Sequence, residues 1–178
     1  MADQFRTRSE LQPHYYESVI TRTGWDGLFK NMQKAVKDYL FKPYCIIMED
    51  DCELTPAYSA RFLEKLIDQA VAAGADVLLG GIDQFSAVDK IPGANNIVRV
   101  HNFRGTEFMV LFNKFFKTFI EAPTSQPPEI FLGYKPFIKK VVACPFISYQ
   151  YDSRSNFGRD ENVRKGFVET ESRICNQK

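Results

Sequence analysis

The chain is short of the side chains that usually announce a metal centre. It has two histidines, His14 and His101, and four cysteines, Cys45, Cys52, Cys144 and Cys175, none in C-x-x-C spacing. Zinc fingers and ribbons, which need four N or S ligands at short spacing, are thereby excluded. Cys45 and Cys144 lie inside apolar runs and read as buried thiols, which predicts a reducing, cytoplasmic setting. No run approaches the roughly 18–20 apolar residues of a membrane span. The opening "MADQFRTRSELQPHYYES" lacks the apolar centre of a signal peptide. Excess charge is missing as well: 23 basic against 22 acidic side chains leave +1, which neither demands nor forbids a nucleic acid. There is no internal repeat and no low-complexity stretch.

What is present is apolar and aromatic. Hydrophobic residues make up 44% of 178, with sixteen Phe, enough for the core of one domain spanning 1–178. Residues 1–23 form a short polar N-terminal segment and 157–178 a polar C-terminal tail. In "GWDGLFKNMQKAVKDYL" the apolar residues Trp25, Leu28, Phe29, Met32, Val36 and Tyr39 recur in steps of three and four, which predicts a helix. Tyr44 to Met48 is apolar without alternation, the pattern of a strand covered on both faces, central and parallel. Thr55-Pro56 reads as the start of a second helix, with its stripe through Phe62, Leu63, Leu66, Ile67 and Ala70 and a C-cap at Gly74. "ADVLLGG" is a second buried strand. The middle, "IDQFSAVDKIPGANN", reads as a loop, "IVRVHN" as a short edge strand, "TEFMVLF" and "VVACPFISYQ" as strands, and "NKFFKTFIEAP" as a helix. Helices and strands alternating at this spacing predict an α/β fold: a small Rossmann-like sandwich around a mostly parallel sheet.

The chemistry is concentrated in "YCIIMEDDCELTP". An apolar strand runs into Glu49, Asp50 and Asp51, with Glu53 close behind. In open α/β sheets ligands bind beyond the carboxyl ends of the strands. Carboxylates crowded there repel one another unless a cation or water separates them. Mg²⁺ or Mn²⁺ would take such oxygens and leave positions open for phosphate. The same acids would also suit the N-terminus of the following helix. A D-x-D-x-T phosphatase signature is not met, because "DCELT" offers Glu53 in place of the second Asp.

Gly24, Asn31, "CIIMEDD" and Pro56 together resemble the central motif of GT-A fold glycosyltransferases, and the "EDD" version resembles the family 25, lipopolysaccharide-type enzymes. "LLGG" through Gly80 and Gly81, "GTEFMVLF" through Gly105 and Thr106, "PPEIF" with Glu129 in place of an Asp, and "PFISYQYDSRS" through Pro145, Gln150 and Ser155 follow in that family's order. The resemblance spans residues 24–156. It implies transfer of a sugar from a nucleoside diphosphate sugar to an acceptor hydroxyl, aided by Mn²⁺ or Mg²⁺. On this reading Asp51 is the metal ligand. Glu49, Asp50, Gly80, Gly81, Gly105 and Thr106 face the donor, and Arg6 and Arg8 lie near its phosphate or base. An inverting transfer needs a carboxylate base; Glu129 is the first candidate, with Asp152 and Glu107 in reserve. The family's opening strand and Arg-containing loop would have to fit in some twenty residues before the first helix, where "FRTRSE" would be their remnant or else an unordered basic N-terminus.

The acceptor is expected to be a glycan, as in lipopolysaccharide assembly. The alternative is hydroxymethylated DNA of the phage type: "RTRSE" and "SRSNFGRDENVRKGF" carry cations that could meet phosphates, Arg154 and Arg159 among them, and a base would be flipped into the cleft. A further alternative is a degenerate, non-catalytic nucleotide-binding module. Calorimetry with UDP and GDP is expected to show binding that Mn²⁺ strengthens and that Asp51→Asn makes indifferent to Mn²⁺. Equal binding with and without the ion would remove the metal-dependent reading.

Overall fold

The computed structural model describes residues 8, 10–17, 19–151, 154–155, 158–159 and 163–176; of 154–155 and 158–159 only the backbone is described. The first helix, α1 (Gly24–Asp38), buries Phe29, Met32, Ala35 and Val36, as its periodicity predicts. It leads into strand β1 (Tyr44–Met48), then β2 (Cys52–Leu54) and helix α2 (Ala60–Ala72). The start of α2 differs from the sequence reading. Its N-cap is Ser59, whose hydroxyl accepts from Phe62 N, whereas the Thr55 hydroxyl donates to Phe146 O at 2.8 Å. Gly74, just past the Ala73 cap, takes φ +64°, a conformation that favours glycine.

Strands β3 (Val77–Leu79), β4 (Gln84–Phe85), β5 (Val88–Lys90), β6 (Ile97–Val100), β7 (Phe103–Arg104) and β8 (Phe108–Phe112) follow. Then come helices α3 (Asn113–Ile120) and α4 (Pro128–Tyr134), and strands β9 (Lys140–Ala143) and β10 (Ser148–Gln150). The short strands β11 (Arg154–Ser155) and β12 (Gly158–Arg159) precede the last helix, α5 (Val163–Cys175). "VVACPFISYQ" is therefore two strands, interrupted at Pro145, which has no N–H to continue a ladder. The central loop contains β4 and β5. The tail read as polar contains a helix docked through Phe167, Thr170 and Ile174.

The main sheet has six strands in the order β1-β8-β3-β9-β6-β5. The fold is α/β, but the expected mostly parallel sheet is corrected: only β3 and β9 pair in parallel, and the other four pairings are antiparallel. Apolarity on both faces reports coverage by helices, not strand direction. The inner strands β3, β8 and β9 are buried throughout because α1, α3, α4 and α5 cover one face and α2 the other. Two further expectations change with the topology. β1 is an edge strand, alternately buried and half-buried, and "IVRVHN" contributes an inner strand with β5 outside it.

Cross-layer polar contacts fix the helices. Gln33 of α1, buried, donates to Phe119 O and Ala122 O (3.0 and 2.8 Å), tying α1 to the end of α3. Lys140 of β9 does the same for α4, donating to Gly133 O at 2.8 Å and Lys135 O at 3.2 Å; burial pushes its ammonium down to about 8. Two of the four cysteines are not thiols: Cys144 and Cys175 form a disulfide that ties the end of β9 to the end of α5, while Cys45 and Cys52 are buried thiols. No helix among the described residues is long and apolar enough to cross a membrane.

Phe119 is fully buried, with its ring 5.2 Å from that of Phe29. Phe119→Ala is expected to lower stability by about 3–5 kcal/mol through lost burial and the cavity left behind. Phe137→Ala, at a 63% exposed position, is expected to stay within about 0.5 kcal/mol. Urea midpoints for the two variants check both values.

Candidate functional site

The acids after β1 meet residues from distant parts of the chain because of strand direction. β8 runs antiparallel to β1, so the residues that precede β8 face those that follow β1. Glu49 N donates to Glu107 O at 2.9 Å, and the Thr106 hydroxyl donates to Glu49 Oε1 at 2.6 Å. On the other side, β2 pairs with β10 in the register Cys52↔Gln150. That places Gln150, whose amide donates to Asp51 Oδ2 at 2.7 Å, while Tyr151 N donates to Asp51 O. The carboxyl end of β3 reaches the same region: Gly80 N donates to Phe108 O, and Gly80 O accepts from Ile147 N.

Two carboxylate oxygens here are buried and have no hydrogen-bond partner among the described residues: Asp51 Oδ1 and Glu107 Oε2. The Ser148 hydroxyl is in the same state. Burial of an unpaired polar atom costs roughly 1–3 kcal/mol, more for a charged group, so each such atom needs a reason. Like charge adds to that cost. Burial, and then the nearby carboxylates of Asp51, Glu129 and Asp50, push Glu49 up to about 7 against the opposing hydrogen bond from Thr106. Burial, followed by Glu49, holds Glu107 well above the ordinary carboxyl range. Asp51 is raised by burial, with the Gln150 hydrogen bond opposing. Glu129, in the first turn of α4, is raised by burial and partly restored by the Arg104 cation. These mutual influences gather Glu49, Asp50, Asp51, Glu107, Glu129 and Arg104 into one electrostatic unit.

The other expected residues fare differently. Gly80 and Gly81 are packed against protein: a Cβ on Gly80 would lie 2.4 Å from Ser148 Oγ, and one on Gly81 2.2 Å from Ser148 O. Their small size is required by the chain's own packing. Gly105 takes φ +114° and borders the acids, since a Cβ there would lie 3.1 Å from Glu107 Oε2. Arg8 lies over the Tyr58 ring at 5.0 Å, in the N-terminal segment. Arg6 and Asp152 lie outside the described residues, and the Arg154 and Arg159 side chains do too. Trp25 is half-buried in the first turn of α1.

Sequence reasoning missed Arg104, the cation beside Glu129, and Asp83, whose carboxylate lies 3.7 Å from Arg104 Nε. It also missed Arg164, which pairs with Glu53 at 3.1 Å from the tail helix. Arg104 directly precedes Gly105-Thr106, and that adjacency was the available signal. Arg164 is 111 positions beyond Glu53 (164 − 53) and gave none.

Among the described residues no three His, Cys, Asp or Glu side chains are grouped so as to hold a metal ion. The unpartnered Asp51 Oδ1 fits a different arrangement, one protein oxygen with the remaining positions taken by phosphate and water, as Mg²⁺ commonly adopts. No protein-family model matches the chain, and no curated protein matches it.

A raised carboxyl pKa means that the folded state holds a proton which the unfolded state has released. With Glu49 ordinarily near 4.5 and here about 7, its contribution to stability is present below about 4.5 and is lost as pH rises through 7. Glu49→Gln is expected to flatten the fall in denaturant midpoint between pH 5 and pH 8, measured without divalent ions. An unchanged slope would remove the buried-carboxyl assignment.

Proposed function

We propose that this chain is a small glycosyltransferase, moving a sugar from a nucleoside diphosphate sugar to an acceptor hydroxyl. One observation carries the reading: a carboxylate oxygen, Asp51 Oδ1, stands buried and unpartnered at the carboxyl end of β1, among acids drawn from distant parts of the chain. A protein does not keep such an atom for stability. A diphosphate is itself anionic and would be repelled by this pocket alone, so a divalent cation belongs to the proposal. Asp51 would hold Mn²⁺ or Mg²⁺, which when bound offsets negative charge on the departing diphosphate. Gln150 keeps the Asp51 carboxylate in one orientation through its other oxygen. Thr106 does the same for Glu49, which lies beside the donor.

Glu129 is the proposed base. It is half-buried in the first turn of α4, and its raised pKa brings it nearer to the range in which a carboxylate can accept a proton from a hydroxyl. Glu107, only 6% exposed and turned toward Gly105, is too enclosed to reach an acceptor and serves instead to shape the acid pocket. The proposed acceptor is a glycan hydroxyl. An acid-lined cleft repels a phosphate backbone, which tells against duplex DNA as the acceptor.

Slow hydrolysis of one member of a UDP- and GDP-sugar panel is expected with Mn²⁺, read as released nucleoside diphosphate. Asp51→Asn is expected to lower it about 10²-fold or more. Glu129→Gln is expected to lower transfer to a sugar acceptor by about 10²–10⁴-fold, the usual worth of a positioned base. Hydrolysis of no donor, or rates unchanged in Asp51→Asn, would leave a non-catalytic nucleotide module. Sugar incorporated into a hydroxymethylcytosine duplex would overturn the glycan acceptor.

A further inference from the structure

β1 forms one edge of the main sheet and, among the described residues, pairs only with β8. In an antiparallel ladder alternate residues turn their N–H and C=O groups toward the partner and the others turn away. The bonds Asn113 N to Pro43 O and Glu49 N to Glu107 O, one at each end of β1, fix the phase. Cys45 and Ile47 bond to β8; Tyr44, Ile46 and Met48 present their backbone groups outward, with roughly 7 Å between one set and the next. Among the described residues these outward groups have no backbone partner. The Cys45 thiol donates weakly to Ile46 O at 3.9 Å.

Such an edge is ordinarily blunted by charge, by proline or by a covering segment. Here the segment Glu10 to Tyr16 arches over it without pairing. On the α2 side, Tyr58 donates to Glu10 Oε1 at 3.1 Å and Leu11 packs against the apolar cluster under α2. On the α1 side, His14 meets the Tyr39 ring and Tyr16 donates to Asp38 Oδ2 at 3.0 Å. Between arch and strand lies a cavity of about 390 Å³, and Tyr44, Ile46 and Met48 are among its walls. Its lining is mixed: Tyr15 is 69% exposed, and Glu10, Gln12, His14 and Lys42 bring polar groups to it. Backbone groups facing such a cavity need partners.

We propose that an extended segment of a separate polypeptide threads beneath the Glu10–Tyr16 arch and adds to β1 as a seventh strand. Three sets of N–H and C=O groups at strand spacing are complemented by another extended main chain, which supplies donors and acceptors at the same interval. The segment is apolar at alternate positions, to meet Ala35 and Tyr39 in the α1-side wall, which also contains Lys42. A second copy of this chain does not fit the opening. Its own β1 carries the same arch, so two edges cannot approach unless both arches leave.

The test uses the full chain, ¹⁵N-labelled, and a panel of synthetic hexapeptides with Val, Ile or Phe at alternate positions and Thr or Lys between them. In the free protein the Tyr44, Ile46 and Met48 amides are expected to exchange ~10-fold or more faster than those of Cys45 and Ile47. At least one peptide is expected to bind saturably and slow those three amides by a similar factor. Its analogue, N-methylated at alternate residues on the pairing side, is expected to lose binding. The proposal is overturned if the three amides are already protected in the monomer, or if no peptide protects them at millimolar concentration. Equal binding of the N-methylated analogue overturns it too. Concentration-dependent dimerisation in sedimentation that protects the same amides would assign the edge to a second copy instead.

Discussion

The antiparallel pairing of β1 with β8 is the contact on which the rest of the site depends. Glu49 ends one strand and Glu107 precedes the other, and only opposed strand directions put those two points side by side. Had β8 run parallel, Thr106 and Glu107 would stand at the far end of the sheet, about the length of a five-residue strand away. The ladder also fixes which β1 residues face β8 and which face outward. One pairing thus sets both the acid pocket at the strand's end and the unpaired edge along its side.

The pocket combines rigid support with electrostatic conflict. Gly80 and Gly81 allow the Ser148 backbone to lie against the end of β3, and the β2–β10 pair fixes Gln150 beside Asp51. The helix α5 braces that pair from outside: Glu171 accepts from Phe146 N and Tyr149 OH, Arg164 reaches Glu53, and Cys175 is bonded to Cys144. Around this frame, burial and then the neighbouring carboxylates push the pKa of Glu49 and Glu107 above the ordinary carboxyl range. Arg104, half-exposed, bears on Glu129 and Asp83, and leaves Glu49, Asp51 and Glu107 against one another.

The helices α1 and α2 were readable from periodicity, since a buried stripe at steps of three and four has one physical interpretation. The acid cluster was readable as a candidate site because three carboxylates at the end of an apolar strand oppose both burial and Coulomb repulsion. The beginning of α2 was misread because Thr55 and Ser59 are both competent caps, and only the packing of Thr55 against Phe146 O removed it from that role. The tail helix was missed because three buried residues, Phe167, Thr170 and Ile174, give a weak stripe in a charged segment.

Strand direction lay beyond local reading altogether. An apolar strand satisfies its two faces equally well with neighbours running either way, so "CIIM" and "FMVLF" carry no mark of their relative sense. The same holds for the partners of Asp51: nothing in the spacing of residues 51, 104, 107, 129 and 150 relates them, since the energy of a carboxylate depends on distance in space. Composition and pattern set where chain segments are buried and where charge is concentrated. Which charges share a pocket, and which edge of the sheet remains open, followed only from the register and direction of the assembled strands.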